Sequence, residues 1–173
     1  RIGEHDWQII IGRGHSPEHM CLFNPDTKVL IAGDQILPKI TPHIGIHASE
    51  PEANPLQLYL DTLSNFDHLP DDTLVLPAHG LPFYNLHPRL AYLRQHHDQR
   101  LAILEDYCAQ PTKVLSTLQV MFSRRLNEFE ALLGMSEAMS HLHYLMAQGR
   151  IIREANDDGV WLYQASSRRA DAA

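Results

Sequence analysis

Apolar residues recur along this chain with two periods, and the change between them divides it near residue 88. Before that point the apolar runs are short and rich in β-branched residues. Trp7–Ile11, Met20–Phe23, Lys28–Ala32 and Leu74–Leu76 each read as a strand. Asn24-Pro25-Asp26-Thr27 is dense in turn formers, so the second and third runs are expected to form a hairpin. Asn54 followed by Pro55 is a helix start, and Leu56, Tyr59, Leu60, Leu63 and Phe66 follow at helical spacing. Residues 38–53 hold three prolines and a glycine with little periodicity, and are expected to be a long loop.

After Pro88 the period becomes helical. Pro88 to about Ala109 is expected to be one helix, with Leu90, Leu93, Leu101 and Leu104 on one side. Pro111-Thr112 opens a second segment through Val114, Leu115, Leu118 and Met121. A third helix is expected after Ser136, with Met139, Leu142, Leu145 and Met146 inward, ending at Gly149. Ile151–Arg153 and Val160–Tyr163, joined by Asp157-Asp158-Gly159, read as a hairpin. The expectation is therefore a mixed α/β (α+β) chain with a first domain over 1–88, a second over 89–165 and a tail over 166–173. Three helices followed by a hairpin is the order of a winged helix.

Composition narrows the class. The chain has 173 residues, of which 44% are hydrophobic and 20% charged, as in ordinary globular proteins. No apolar run approaches the roughly 20 residues a membrane helix needs, so no membrane-spanning role is expected. Cys21 and Cys108 cannot build a disulfide framework, which favours a reducing, cytoplasmic setting. A net charge of −7 argues against a nucleic-acid partner held by bulk electrostatics. Histidine is the outlier: 12 in all, of which 10 fall within residues 1–97.

Three short segments carry candidate chemistry, each at the end of an expected strand. They are Gly14-His15-Ser16-Pro17-Glu18-His19, Gly33-Asp34 and Pro77-Ala78-His79-Gly80. Strand ends that feed loops are common places for ligands. Imidazole nitrogen and carboxylate oxygen suit zinc and iron, and one aspartate can bridge two metals. Each residue also has a plainer role, as a turn or hydrogen-bonding histidine or a capping carboxylate.

These segments resemble the later metal motifs of the metallo-β-lactamase fold hydrolases. The first is similar to that family's Gly-His-Ser/Thr-x-x-His motif, the second to its bridging-aspartate motif and the third to its last histidine motif. The chain after residue 88 resembles the winged-helix-like domain appended in one branch of the family. The resemblance implies the C-terminal half of an αββα sandwich followed by three helices and a β-hairpin. It implies His15 on one divalent metal, His79 on a second, and Asp34 bridging both as the catalytic carboxylate. The metals would be zinc, with iron or manganese as the other choices. The implied reaction is attack of a metal-held hydroxide on a small-molecule ester, thioester, lactone or phosphoester.

The family's defining His-x-His-x-Asp-His signature is absent here. His96-His97 and His141/His143 do not replace it, because neighbours one or two apart do not share a helix face. Four of seven ligands are therefore missing. The chain begins at Arg1 with no initiator Met, so it reads as part of a longer enzyme and is expected to be inactive alone. His19 supports the site or simply starts its strand. Thr41 and His43, in the long loop, are the expected substrate contacts. Half of a two-sheet fold would bare one apolar sheet face, so a homodimer through that face, or a compensating rearrangement, is expected. A noncatalytic interaction module and a ribonuclease parent are the alternatives. The third helix, around Ser136–Gln148, carries no Lys or Arg, which weighs against the latter.

Overall fold

A computed structural model describes residues 1–166; the expected tail from 167 onward lies outside the described residues. The chain forms two compact units. The first comprises Arg1–His43 and Gln57–Gln95, and the second comprises Ile44–Leu56 and the chain from His96 onward.

The first unit is built on a four-stranded sheet in the order β1 (Gln8–Gly12), β2 (His19–Asn24), β3 (Val29–Gly33), β4 (Leu74–Pro77). The β1/β2 and β2/β3 pairs are antiparallel, and β3/β4 is parallel. The hairpin between β2 and β3 closes because the Asn24 side-chain oxygen accepts the N–H groups of Asp26 and Thr27, at 3.0 and 2.9 Å. Alternation along the strands sorts residues to two faces. Ile10, Cys21, Phe23, Leu30, Ala32 and Val75 are buried on one. On the other, Ile9, Leu22, Ile31 and Leu76 stand in one register row across all four strands. That row is not covered: Ile9 is 63% and Ile31 40% exposed.

Helix α1 (Pro55–Leu63) follows Asn54 as the sequence indicates, and Tyr59, Leu63 and Phe66 are buried. The Tyr59 hydroxyl donates to the Gln35 carbonyl at 3.3 Å. Helix α2 (Leu86–Tyr107) starts two residues before Pro88, which sits in the first turn, where its missing N–H costs no helical bond. The division between the units falls inside α2, at Gln95/His96.

In the second unit, the end of α2 is followed by α3 (Val114–Met121), α4 (Glu128–Ala147) and an antiparallel hairpin of β5 (Ile151–Ala155) and β6 (Trp161–Ala165). Helix α4 corrects one expectation: it starts eight residues before Ser136. Asn127 caps it, its side chain accepting the Glu130 N–H at 2.9 Å while the Glu130 carboxylate accepts the Asn127 N–H at 3.0 Å. The added turns are obscured in the sequence because Phe129 and Leu132 are exposed and break the apolar stripe. Met139 and Met146 are half-buried; Ala138, Leu142 and Leu145 form the inward face.

Residues 38–53 contain no helix or strand, as expected. They belong to different units on either side of His43/Ile44. Arg89 holds the first part, donating to the Leu37 and Ile40 carbonyls at 2.6 and 2.7 Å. The second part is tied to α4: Ser136 donates to the Ile46 carbonyl at 2.9 Å, and His143 Nδ1 lies 3.0 Å from the Ala53 carbonyl. Among the described residues no helix is long and apolar enough to cross a membrane.

Candidate metal centre

The ends of β1, β3 and β4 lead into the three segments that carry the candidate ligands, so strand pairing alone brings their starting points together. His15, Asp34 and His79 converge. His15 Nε2 lies 3.8 Å from one oxygen of Asp34, and His79 Nε2 lies 3.3 Å from the other. One carboxylate is thus faced from two sides by imidazoles delivered from different loops. His79 is 68% exposed, whereas His15 and Asp34 are about one-third exposed, so the cluster is open to solvent on the His79 side.

The orientation of His15 has a local cause. Its Nδ1 lies 2.9 Å from the carbonyl oxygen of His43, and a carbonyl only accepts. Nδ1 therefore carries the proton, and in the neutral ring Nε2 presents a lone pair toward Asp34. Metal-ligating histidines commonly have their second nitrogen engaged in this way, which fixes both tautomer and ring orientation.

His19 stands behind Asp34. Its Nε2 accepts the Asp34 backbone N–H at 3.1 Å, and its Nδ1 lies 3.7 Å from Cys21 Sγ, which in turn lies 3.4 Å from the Ala32 carbonyl. Burial, followed by the neighbouring His15, holds the His19 pKa below its ordinary value despite the opposing influence of Asp34. The neutral ring that results is the form able to accept from Asp34. Gly33 permits this closeness: its φ is +54°, and a Cβ there would come within 2.5 Å of His19 Cε1. Burial pushes the Cys21 thiol up to about 12.

His43 contributes its backbone carbonyl to the site, a role no motif announces. Thr41 is half-buried in the same segment. His15, Asp34 and His79 provide two imidazole nitrogens and two carboxylate oxygens, a donor set suited to a borderline divalent cation. Each histidine faces a different oxygen, and among the described residues no group of three or more His, Cys, Asp or Glu side chains could hold one ion. The donor types suit a divalent cation, and the described residues do not by themselves complete a site for one.

Comparison with known proteins places the chain in a family. A family model described as "Metallo-beta-lactamase superfamily" matches residues 1–79, which include all three convergent residues. A second, "Metallo-beta-lactamase-like, C-terminal domain", matches residues 101–166. A β-lactamase domain protein of Burkholderia ambifaria is similar in structure, with a TM-score of 0.93 and 42% identity over 96% of this chain and 50% of that one. A metallo-β-lactamase family protein of Thermus thermophilus matches with a TM-score of 0.82 and 25% identity over 96% of this chain and 51% of its own. In sequence, the chain is 26% identical to YqjP of Bacillus subtilis (strain 168), described as a probable metallo-hydrolase, over 86% of this chain and 47% of that protein. The chain thus spans about half the length of the relatives it matches.

Proposed function

The chain belongs to the metallo-β-lactamase superfamily, and from that premise we propose that it supplies the C-terminal share of a two-metal hydrolytic centre. His15 would hold one divalent metal and His79 the second, with the Asp34 carboxylate available to both. The observation that carries this reading is the division of the two Asp34 oxygens between two histidines, one of them already fixed in tautomer by the His43 carbonyl. When bound, zinc, iron or manganese would supply Lewis acidity to an ester, thioester, lactone or phosphoester and lower the pKa of water toward neutral.

The chain's own residues have positioning roles. His19 holds the Asp34 backbone and so sets the height of its carboxylate. Arg89 pins the segment before Thr41 and His43, which we place at the substrate mouth. The second unit acts as a winged-helix-like packing domain. Among the described residues, two arginines near the hairpin are engaged: Arg150 pairs with Glu105, and Arg153 pairs with Glu52 at 3.0 Å while its guanidinium lies 4.4 Å from the Trp161 ring centre. Nucleic acid is accordingly not the proposed partner. The free, buried cysteines suit a reducing, cytoplasmic setting.

Three ligand side chains shared between two metals leave each below the three protein ligands usual for catalytic zinc. Calorimetry on the 173-residue chain should therefore show weak zinc binding that is lost in Asp34→Ala, with no thioester hydrolysis. Tight stoichiometric zinc with hydrolysis would overturn the incomplete-site reading, and binding indifferent to Asp34→Ala would overturn the assignment. The bare row of Ile9, Leu22, Ile31 and Leu76 further leads us to propose that the chain pairs with a second copy through this sheet face. Light scattering should report a dimer that Ile31→Lys dissociates; a clean monomer at high concentration would refute it.

A further inference from the structure

Next to His79 the surface turns from polar to apolar. The segment after β3 and the segment after β4 face each other across a cavity of about 430 Å³. Its apolar lining comes from Pro38, Ile40, Leu81, Pro82 and Phe83, and His79, which also lines it, lies 3.3 Å from Asp34. That volume falls in the range of small-molecule sites.

Both walls are held in place. Phe83 exchanges two backbone hydrogen bonds with Val75, at 2.8 and 3.0 Å, which folds the 78–83 segment back along β4. Arg89 fixes the opposite wall through the Leu37 and Ile40 carbonyls. The walls approach closely at Gly80, where φ is +87° and a Cβ would meet Pro38 Cγ at 2.7 Å. Leu81 is 80% and Ile40 62% exposed, so the cavity presents apolar surface that no described residue of the first unit covers.

We propose that this cavity takes the apolar acyl chain of an ester or thioester and so sets the substrate class of the adjoining centre, a proposal that rests on the hydrolytic reading above. A chain running from the cavity past His79 brings its carbonyl end toward Asp34. Lys39 is the one Lys or Arg among the lining residues, too few for a phosphodiester backbone, whose binding relies on several basic contacts. Each methylene seated there is worth about fourfold in affinity.

The test uses the 173-residue chain without metal. Methyl resonances of Ile40 and Leu81 are followed while octanoate, acetate or a short oligonucleotide is added. Octanoate should shift both methyls saturably and acetate should not. Leu81→Asp, at an exposed position that folding does not depend on, should weaken octanoate binding by at least about tenfold. Absence of shifts with octanoate, shifts confined to Ile9 and Ile31 on the sheet face, or a stronger response to the oligonucleotide would each overturn the proposal. Zinc calorimetry on the same samples reports separately on the hydrolytic reading, so failure of one is distinguishable from failure of the other.

Discussion

In the first unit, His15 and His79 stand about one-third and two-thirds exposed on either side of a carboxylate. In the second, His97 of α2 and His141 of α4 are sealed from solvent and face each other, Nδ1 to Nε2, at 3.1 Å. His141 Nδ1 in turn lies 2.8 Å from the Glu137 carbonyl, so it carries the ring proton and its Nε2 accepts from His97. The residue type is the same, but the surroundings assign opposite tasks. Open to water and beside Asp34, an imidazole nitrogen is accessible to a cation. Buried against a second imidazole, it must stay neutral. Burial, followed by His141, His96 and Arg100, pushes the His97 pKa down to about 2, and burial lowers that of His141 although Glu137 opposes it. Histidine count alone therefore says little about metal binding.

The largest expected effect tests the buried pair. An unfolded histidine protonates near pH 6.5, whereas the His97 ring remains neutral in the fold well below that. The unfolded state thus binds more protons as pH falls, and the contribution to stability, fully present above about pH 6.5, is lost toward the folded pKa. The slope is about 1.4 kcal/mol per pH unit, hence about 3 kcal/mol for this ring by roughly pH 4.5. The lowered pKa of His141 adds loss in the same direction. Denaturant unfolding at neutral and acid pH measures it. His97→Asn keeps a donor for His141 and should flatten the pH dependence by about one ring's share; an unchanged slope would break the contrast between the regions.

A smaller effect belongs to the carboxylate that distinguishes the open cluster. Asp34→Ala removes a ligand and should abolish measurable zinc binding, a loss beyond the roughly 100-fold that removal of a supporting residue costs a metal site. His19→Ala should cost less, about tenfold in zinc affinity, because it frees the Asp34 backbone without removing a ligand. If His19→Ala matched Asp34→Ala, His19 would be acting at the metals rather than behind them.

Much of this organisation was legible in the residues. The Asn24 turn, the Asn54-Pro55 helix start and the strand runs of the first unit all formed at or near their expected places, because each depends on groups a few residues apart. The three segments that carry His15, Asp34 and His79 were legible for the same reason: each is a short run at a strand end. The start of α4 was a miss with a readable signal, since Asn127-x-x-Glu130 is a capping box. Exposed Phe129 and Leu132 drew attention away from it. The apolar cavity beside His79 was not legible, because Pro38 and Leu81 are separated by a helix and a strand.

By itself the sequence determined the local elements, the identities of His15, Asp34 and His79 and the alternation that leaves one sheet face apolar. Those follow from backbone preferences and side-chain periods that act over a few residues. Only the tertiary structure decided that the His43 carbonyl, 28 residues along, sets the tautomer of His15, and that residues 38–53 divide between two units. It alone paired His97 with His141 across 44 residues. Such contacts carry no spacing rule; they exist because burying the apolar faces of separate elements leaves one geometry in which their polar atoms also find partners.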